Sequence, residues 1–274
     1  MPKSDKLNFQ YGMEITWHDA EAWSGPGYQK EHYYKQITQQ MQRRFRKYKY
    51  RPGNTQLYDE VDSTAEFKSP RLQSIKEIEE YYKYCAAITK KNKWPVSPRN
   101  WISGGGHLHV FNGGSGFDRE FESYVVKDVC NRPYLAWIFA EPEQDDHKCP
   151  VLNFHNVRGT IEWRHVVGHH CTVGCSPYSG IELRFFEAPK NWREQELHVL
   201  FADRWLSHLM KQYKAGKKVT VVKRTMEQLQ KLSYKWCVAE FNALLKEIGL
   251  DPKDYKHFIR RNLKVRCDNG WVKN

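Results

Sequence analysis

No stretch of the 274 residues approaches the roughly 18–20 consecutive apolar residues that a membrane-crossing helix needs. The opening MPKSDKLNFQ also lacks the apolar core of a secretory signal. Both absences point to a soluble, unexported chain, with the cytoplasm as its expected setting. An even cysteine count is also lacking: the seven are residues 85, 130, 149, 171, 175, 237 and 267. Seven scattered thiols do not resemble the framework of a small disulfide-stapled domain, so reduced and mostly packed cysteines are expected. Internal repeats and low-complexity tracts are missing too. With 40% hydrophobic residues, including 10 Trp, 16 Tyr and 13 Phe, the chain has the apolar surface for a core, which excludes a disordered protein. Acidic residues are the scarcer charge, 32 Asp and Glu against 44 Lys and Arg, a formal charge of +12. That excess favours encounter with nucleic acid, nucleotide phosphates or an acidic polymer without choosing among them.

At 32.6 kDa the chain suits one large domain or two small ones. The run NFQYGMEITWH alternates large apolar with polar residues over 8–18 and predicts a strand carrying Glu14. Ile37, Met41 and Phe45 recur at helical spacing within 28–50. A turn flanked by short strands is expected over 55–68, and Ser69-Pro70 leads into a helix over about 74–91 with Ile75, Ile78, Tyr82 and Cys85 on one face. A glycine-rich turn then feeds a strand through WISGGGHLHVFN, and 119–139 reads as a helix broken at Pro133. Strands are expected at 159–167 and 180–186, and helices at 192–213, 225–248 and 252–261. Strands and helices interleave without the period of a βαβ array. The expected class is therefore α+β, a mainly antiparallel sheet covered by helices, in a single domain over 1–274 with the helical region at 192–274.

Several patterns carry chemistry. His107 and His109, two apart on a strand, lie on one face at roughly 7 Å spacing, and Gly104-Gly105-Gly106 ahead of them allows close approach of a ligand. Glu162-Trp163-Arg164 and Glu182-Leu183-Arg184 each set a carboxylate beside a guanidinium on a predicted strand. A carboxylate suits Mg²⁺ and a guanidinium suits phosphate, although either unit alone is more often a cross-strand salt bridge.

Taken in order, these pieces resemble the glutamine synthetase-like fold, in particular the amidoligase branch of the carboxylate-amine ligases. The family's opening Phe-Gly-x-Glu-x-Glu is approximated by Tyr11-Gly12-Met13-Glu14-Ile15-Thr16, and its Glu-x-x-Ser-Pro by Glu66-Phe67-Lys68-Ser69-Pro70 after the acidic turn at 59–62. Gly-x-His-x-His is met by Gly105-Gly106-His107-Leu108-His109, and Ile-Glu-x-Arg-Phe by Ile181-Glu182-Leu183-Arg184-Phe185, followed by Glu187, Pro189 and Asn191. The four pieces span residues 11–191. The resemblance implies an ATP-dependent ligase that joins a carboxylate to an amine through an acyl phosphate, with ATP and Mg²⁺ or Mn²⁺ bound. It implies Glu14, Glu66, His107 and Glu182 as metal ligands, His107, His109 and Arg184 at the nucleotide, and Arg184, Arg164 and Arg158 on the transferred phosphoryl group. Thr16 departs from the pattern, removing a carboxylate that Asp19 or Asp62 must replace if the full metal complement is kept. A free-standing amidoligase of this size fits a viral or bacterial source, such as a phage protein acting in the host cytoplasm. Its carboxylate and amine substrates are expected on a peptide, an acidic polymer or a modifiable nucleic acid.

Other readings compete. A non-catalytic descendant of the fold, structural or nucleic-acid-binding, is favoured by Thr16 and by basic clusters at 43–51, 214–224 and 260–266, whose ordinary explanation is a solvated helix face. The His-x-His pair also suggests a strand-nicking endonuclease with Tyr124 as nucleophile, but Tyr124 follows too closely and the glutamates go unused. Cys149, His155, His169, His170, Cys171 and Cys175 have spacing permissible for zinc without a second clean Cys-x₂-Cys pair, so loop thiols and histidines explain them adequately.

Overall fold

The computed structural model describes residues 6–16, 27–48, 60–61, 66–91, 106–113, 116–139, 167–170, 180–183, 185–222, 224, 228, 231–268 and 272–273. At 14–16, 27–34, 60–61, 66, 89, 167–170 and 182 it describes the backbone alone. In chain order the elements are β1 (Lys6–Thr16), α1 (Gly27–Arg44), β2 (Glu60–Val61), β3 (Glu66–Lys68), β4 (Leu72–Ser74), α2 (Ile75–Lys91) and β5 (Gly106–Phe111). There follow α3 (Arg119–Asn131), α4 (Tyr134–Phe139), β6 (Val167–His170), β7 (Gly180–Leu183), α5 (Trp192–Lys214) and α6 (Tyr234–Glu247). A C-terminal helical run passes from a 3₁₀ turn at Pro252–Tyr255 through Lys256–Phe258 and a π segment at Ile259–Leu263 to Lys264–Asp268.

The described strands form one sheet in the order β2-β3-β1-β5-β7-β6, with β4 also on β1. The pairings of β1 with β3, β4 and β5, of β2 with β3, and of β5 with β7 are antiparallel. Mixed helix and antiparallel sheet is the class that the sequence pattern predicts. By contact, the chain divides into two compact units: Met1–Gly116 with His170–Leu183 and Ala188–Glu196, and Phe117–His169 with Arg184–Glu187 and Leu197–Asn274.

In the first unit the alternation of β1 is realised as two unlike faces. Tyr11 and Met13 on β1, Leu108 and Val110 on β5, Ile181 and Leu183 on β7 and Phe67 on β3 are all buried on one face. Helix α2 begins where Ser74 Oγ accepts from the Glu77 amide at 3.2 Å, while Glu77 Oε2 accepts from the Gln73 amide at 2.7 Å, a reciprocal start of the capping-box kind. It buries Ile78, Tyr81, Tyr82, Cys85 and Ile88. Phe45, just beyond α1, packs its ring 5.1 Å from Tyr81 and 5.4 Å from Tyr84. Ser69 ties the β3–β4 corner to β1: its amide donates to the Met13 carbonyl and its hydroxyl accepts from the Met13 amide at 2.8 Å.

The second unit has an aromatic core. Phe139 sits among the rings of Phe185, Phe186, Phe201, Phe241 and Phe258, with centroids 4.8–6.0 Å away. Buried Asp128 joins the core's polar groups, accepting from Trp205 Nε1 at 3.0 Å and pairing with Arg132 at 2.8 Å.

One expectation shifts within the described residues. Helix α1 ends at Arg44 and a 3₁₀ turn, Arg46–Tyr48, takes its place. Of the helix expected over 225–248, the described residues include helical Gln228 and α6 from Tyr234, where Ser233 Oγ accepts from the Trp236 amide. Upstream, the β-branched run Val219–Val222 is tied to Asn131, whose carboxamide donates to the Thr220 carbonyl at 2.9 Å and accepts from the Val222 amide at 2.8 Å. The strand expected at 159–167 lies outside the described residues except for Val167, and β6 runs on into His170.

Gly180 is a close-approach position: a Cβ there would meet Phe111 Cε1 at 2.5 Å and the Val110 carbonyl at 2.9 Å. Gly180→Ala should therefore lower unfolding free energy by about 1–3 kcal/mol, the usual cost of overpacking. Denaturant titration checks it, and an unchanged midpoint would contradict the packing described.

Candidate active site

The register of β1 gathers the predicted residues. Glu14 stands directly across from His107 on β5 and from Lys68 on β3, Gly12 across from His109, and Thr16 across from Glu66. On the far side of β5, His109 is paired with Glu182 of β7. Residues that face each other across antiparallel strands, and residues two apart along one strand, share a sheet face. Positions 10, 12, 14 and 16 of β1, 66 and 68 of β3, 107, 109 and 111 of β5 and 182 of β7 therefore all lie on the face opposite the apolar one. Glu14, Glu66, His107, His109 and Glu182, separated by up to 168 positions in the chain, are brought to one surface. Sequence reasoning made His107 the ligand and His109 its support; the register sets His109, not His107, opposite Glu182.

His107 and His109 are only 4% and 3% exposed. The His109 ring is stacked on Phe111, centroids 6.4 Å apart and planes 14° apart. Phe111 in turn carries the Arg71 guanidinium 3.7 Å from its centroid, and Arg71 Nη1 donates to the Gly113 carbonyl at 3.5 Å. Arg71, buried on this side of the sheet, was not singled out from sequence; the signal available was its place directly after Ser69-Pro70.

Among the described residues no group of three or more His, Cys, Asp or Glu side chains converges as a metal site, and the carboxylates of Glu14, Glu66 and Glu182 are not among those described. The donor types assembled by the register, carboxylates with imidazole, fit Mg²⁺ or Mn²⁺. Arg158, Arg164, Arg184, Asp19 and Asp62 lie outside the described residues. So do Cys149, His155, Cys171 and Cys175, while His169 and His170 fall on β6.

Other candidates resolve into structural roles. Tyr124 Oη donates to Gln212 at 3.2 Å, and burial pushes its hydroxyl away from the phenolate form, opposite to what a nucleophile needs. Burial likewise pushes the Cys130 and Cys237 thiols up to about 12, leaving them unreactive. In the basic cluster at 43–51, Arg44 and Lys47 both pair with Glu80. At 260–266, Arg261 pairs with Glu187, Lys264 with Asp268, and buried Arg266 donates to the Trp137 carbonyl at 2.7 Å. Lys214, Lys217 and Lys218 of the middle cluster are exposed. Residues 211–274 hold 16 of the 44 Lys and Arg and 6 of the 32 Asp and Glu, which is +10 of the net +12. Among the described residues no helix is long and apolar enough to cross a membrane.

No family model matches the sequence and no curated protein matches it. Among solved structures, a chain in the crystal structure of the complex between prokaryotic ubiquitin-like protein Pup and its ligase PafA is similar at 10% identity and a TM-score of 0.41. The likeness covers 92% of this chain but 62% of that one, less than two thirds of its length. At that TM-score it is too slight to say anything of function.

Sequence gave no hint of Glu122, a buried carboxyl in the first turn of α3. Burial, the largest influence, pushes it up to about 7, against the smaller pull of Arg119. The folded state thus holds a proton that the unfolded chain releases nearer its ordinary value of 4.5. The stability it contributes is complete below that value and is lost as pH rises through about 7. Glu122→Gln should flatten this slope, raising the melting temperature at pH 8 relative to wild type and leaving it nearly unchanged at pH 4. Parallel pH–melting curves for the two proteins would refute it.

Proposed function

We propose that the chain is an ATP-dependent carboxylate-amine ligase, an amidoligase of the glutamine synthetase-like kind. The observation that supports this reading most is the register, which puts Glu14, Glu66, His107, His109 and Glu182 on one sheet face with an apolar reverse. A free carboxylate is a poor electrophile, and the proposed chemistry overcomes that in two displacements. A carboxylate oxygen of the substrate bonds to the terminal phosphorus of ATP as the bond to ADP breaks, giving an acyl phosphate. The amine nitrogen then attacks the acyl carbon, the carbon–oxygen bond to phosphate breaks, and the proton lost from nitrogen leaves on inorganic phosphate.

In this reading Glu14, Glu66, His107 and Glu182 hold the divalent ion and His109 supports them beside Glu182. Bound Mg²⁺ or Mn²⁺ neutralises triphosphate charge. Arg184, with Arg158 and Arg164, steadies the phosphoryl group in transfer. Burial of both histidines keeps water from the acyl phosphate, whose hydrolysis competes with the amine. The charge of +12 favours a carboxylate carried on a peptide or other acidic polymer.

A second reading, a non-catalytic protein that binds nucleic acid, is favoured by the concentration of positive charge in residues 211–274. If it holds, affinity for single-stranded nucleic acid falls steeply with salt, and replacing Lys214, Lys217 and Lys218 together by alanine reduces the slope of log K against log salt by about 2. An unchanged slope would remove that surface from consideration.

Calorimetric titration of ATP with and without Mg²⁺ or Mn²⁺ should give metal-dependent binding that is lost in Glu182→Ala and Glu66→Ala, while both variants keep the wild-type melting profile. Unchanged nucleotide affinity in the two variants would count decisively against the site. Arg184→Ala should lower turnover by about 10²-fold or more with a smaller effect on ATP affinity, because its charge acts on the group in transfer. Equal losses in both would contradict that role.

A further inference from the structure

Gln10 is a buried polar side chain on the site face of β1 that the chemistry above leaves unused. It lies two positions before Gly12, directly across from Phe111, and is 5% exposed. Its Oε1 is buried and, among the described residues, has no hydrogen-bond partner. Its neighbours on β1, Phe9 and Tyr11, lie on the apolar side and are buried as well. A methionine or leucine would fill the same space without the desolvation cost of an unmet acceptor, so the carboxamide calls for an explanation.

The surroundings restrict what can meet that oxygen. An acceptor attracts N–H or O–H donors and repels phosphate and carboxylate oxygens. Arg71, stacked on the ring of Gln10's cross-strand partner Phe111, sets a fixed positive charge close by. That charge disfavours an ammonium ion and favours the same nitrogen as a neutral amine, the form able to attack. Gly12, next on this face, contributes no side chain between Gln10 and the level of Glu14 and His107. Four residues of strand separate positions 10 and 14, roughly 13 Å, enough for a small amine and the acyl group it attacks.

We propose that Gln10 receives the amine co-substrate, its Oε1 accepting a hydrogen bond from the neutral amine nitrogen. This rests on the ligase reading for the identity of the donor, though not for the existence of the contact. Adenine and ribose also carry donors, and the test separates them from an amine.

The experiment follows side-chain amide resonances in full-length protein labelled with ¹⁵N-glutamine, the Gln10 pair being identified by its absence in Gln10→Leu and in the closer-shaped Gln10→Met. Hydroxylamine, largely uncharged at neutral pH, should shift that pair saturably. Methylamine, an ammonium ion at that pH, should do so more weakly, and succinate not at all. By calorimetry both variants should bind hydroxylamine about tenfold more weakly than wild type, with ATP–Mg²⁺ affinity unchanged and melting temperature not lowered. No saturable shift with hydroxylamine, a shift with ATP–Mg²⁺ alone, or equal hydroxylamine affinity in the variants would each overturn the proposal. Loss of metal-dependent ATP binding from wild type, with the hydroxylamine shift intact, would instead defeat the ligase reading and leave the amine contact standing.

Discussion

The pairing of β1 with β5 is the constraint on which the candidate site depends. Over Gln10–Ile15 and Gly106–Phe111 the two strands run antiparallel in an unbroken register. Side chains alternate with a period of two, so a slip of one residue would send Glu14 to the buried apolar side and Met13 to the other. The slip is opposed by Tyr11, Met13, Leu108 and Val110, all closed from solvent on one face. Hydrophobic burial thus holds the polar residues in place without touching them. Ser69 reinforces the register by answering both the amide and the carbonyl of Met13.

In the second unit distant side chains and backbone meet the carbonyls of a short buried helix. The last described turn of α4 carries the carbonyls of Trp137, Ile138 and Phe139 into a buried aromatic core. Arg266 donates to the Trp137 carbonyl, Asn262 to that of Ile138, and the Glu187 amide to that of Phe139. Asn262 and Arg261 also donate to the Glu187 carboxylate. Asn262 belongs to the π segment and Arg266 to the helical turn that follows, where the widened turn alters which side chains face inward. Residues that look like part of a basic surface run in the sequence are in part internal caps, which is why local charge density overstated that surface.

Much of the architecture was legible because it is local. Alternation marked β1, a glycine-rich turn marked the approach to β5, helical spacing after Ser69-Pro70 marked α2, and Pro133 marked the break between α3 and α4. Where the sequence misled, it was at an element's end: the helix expected to run to 50 stops at Arg44 and gives way to a 3₁₀ turn at Arg46–Tyr48. Asn131 meanwhile bonds to the backbone of Thr220 and Val222, partners too distant in the chain for any local pattern to reveal. Glu122 and Gln10 gave no warning, since neither belongs to a motif and both owe their character to burial.

By itself, then, the amino-acid order determined which residues alternate, which helices start where, and that carboxylates and imidazoles recur on strands. Only the tertiary structure decided who faces whom: Glu14 with His107, Glu182 with His109, Glu66 with Thr16, and Arg71 on Phe111. The reason is physical. Alternation along a strand follows from backbone geometry within a few residues, whereas register between strands separated by tens of residues is set by the shared core they bury and by close approaches such as Gly180 against Phe111.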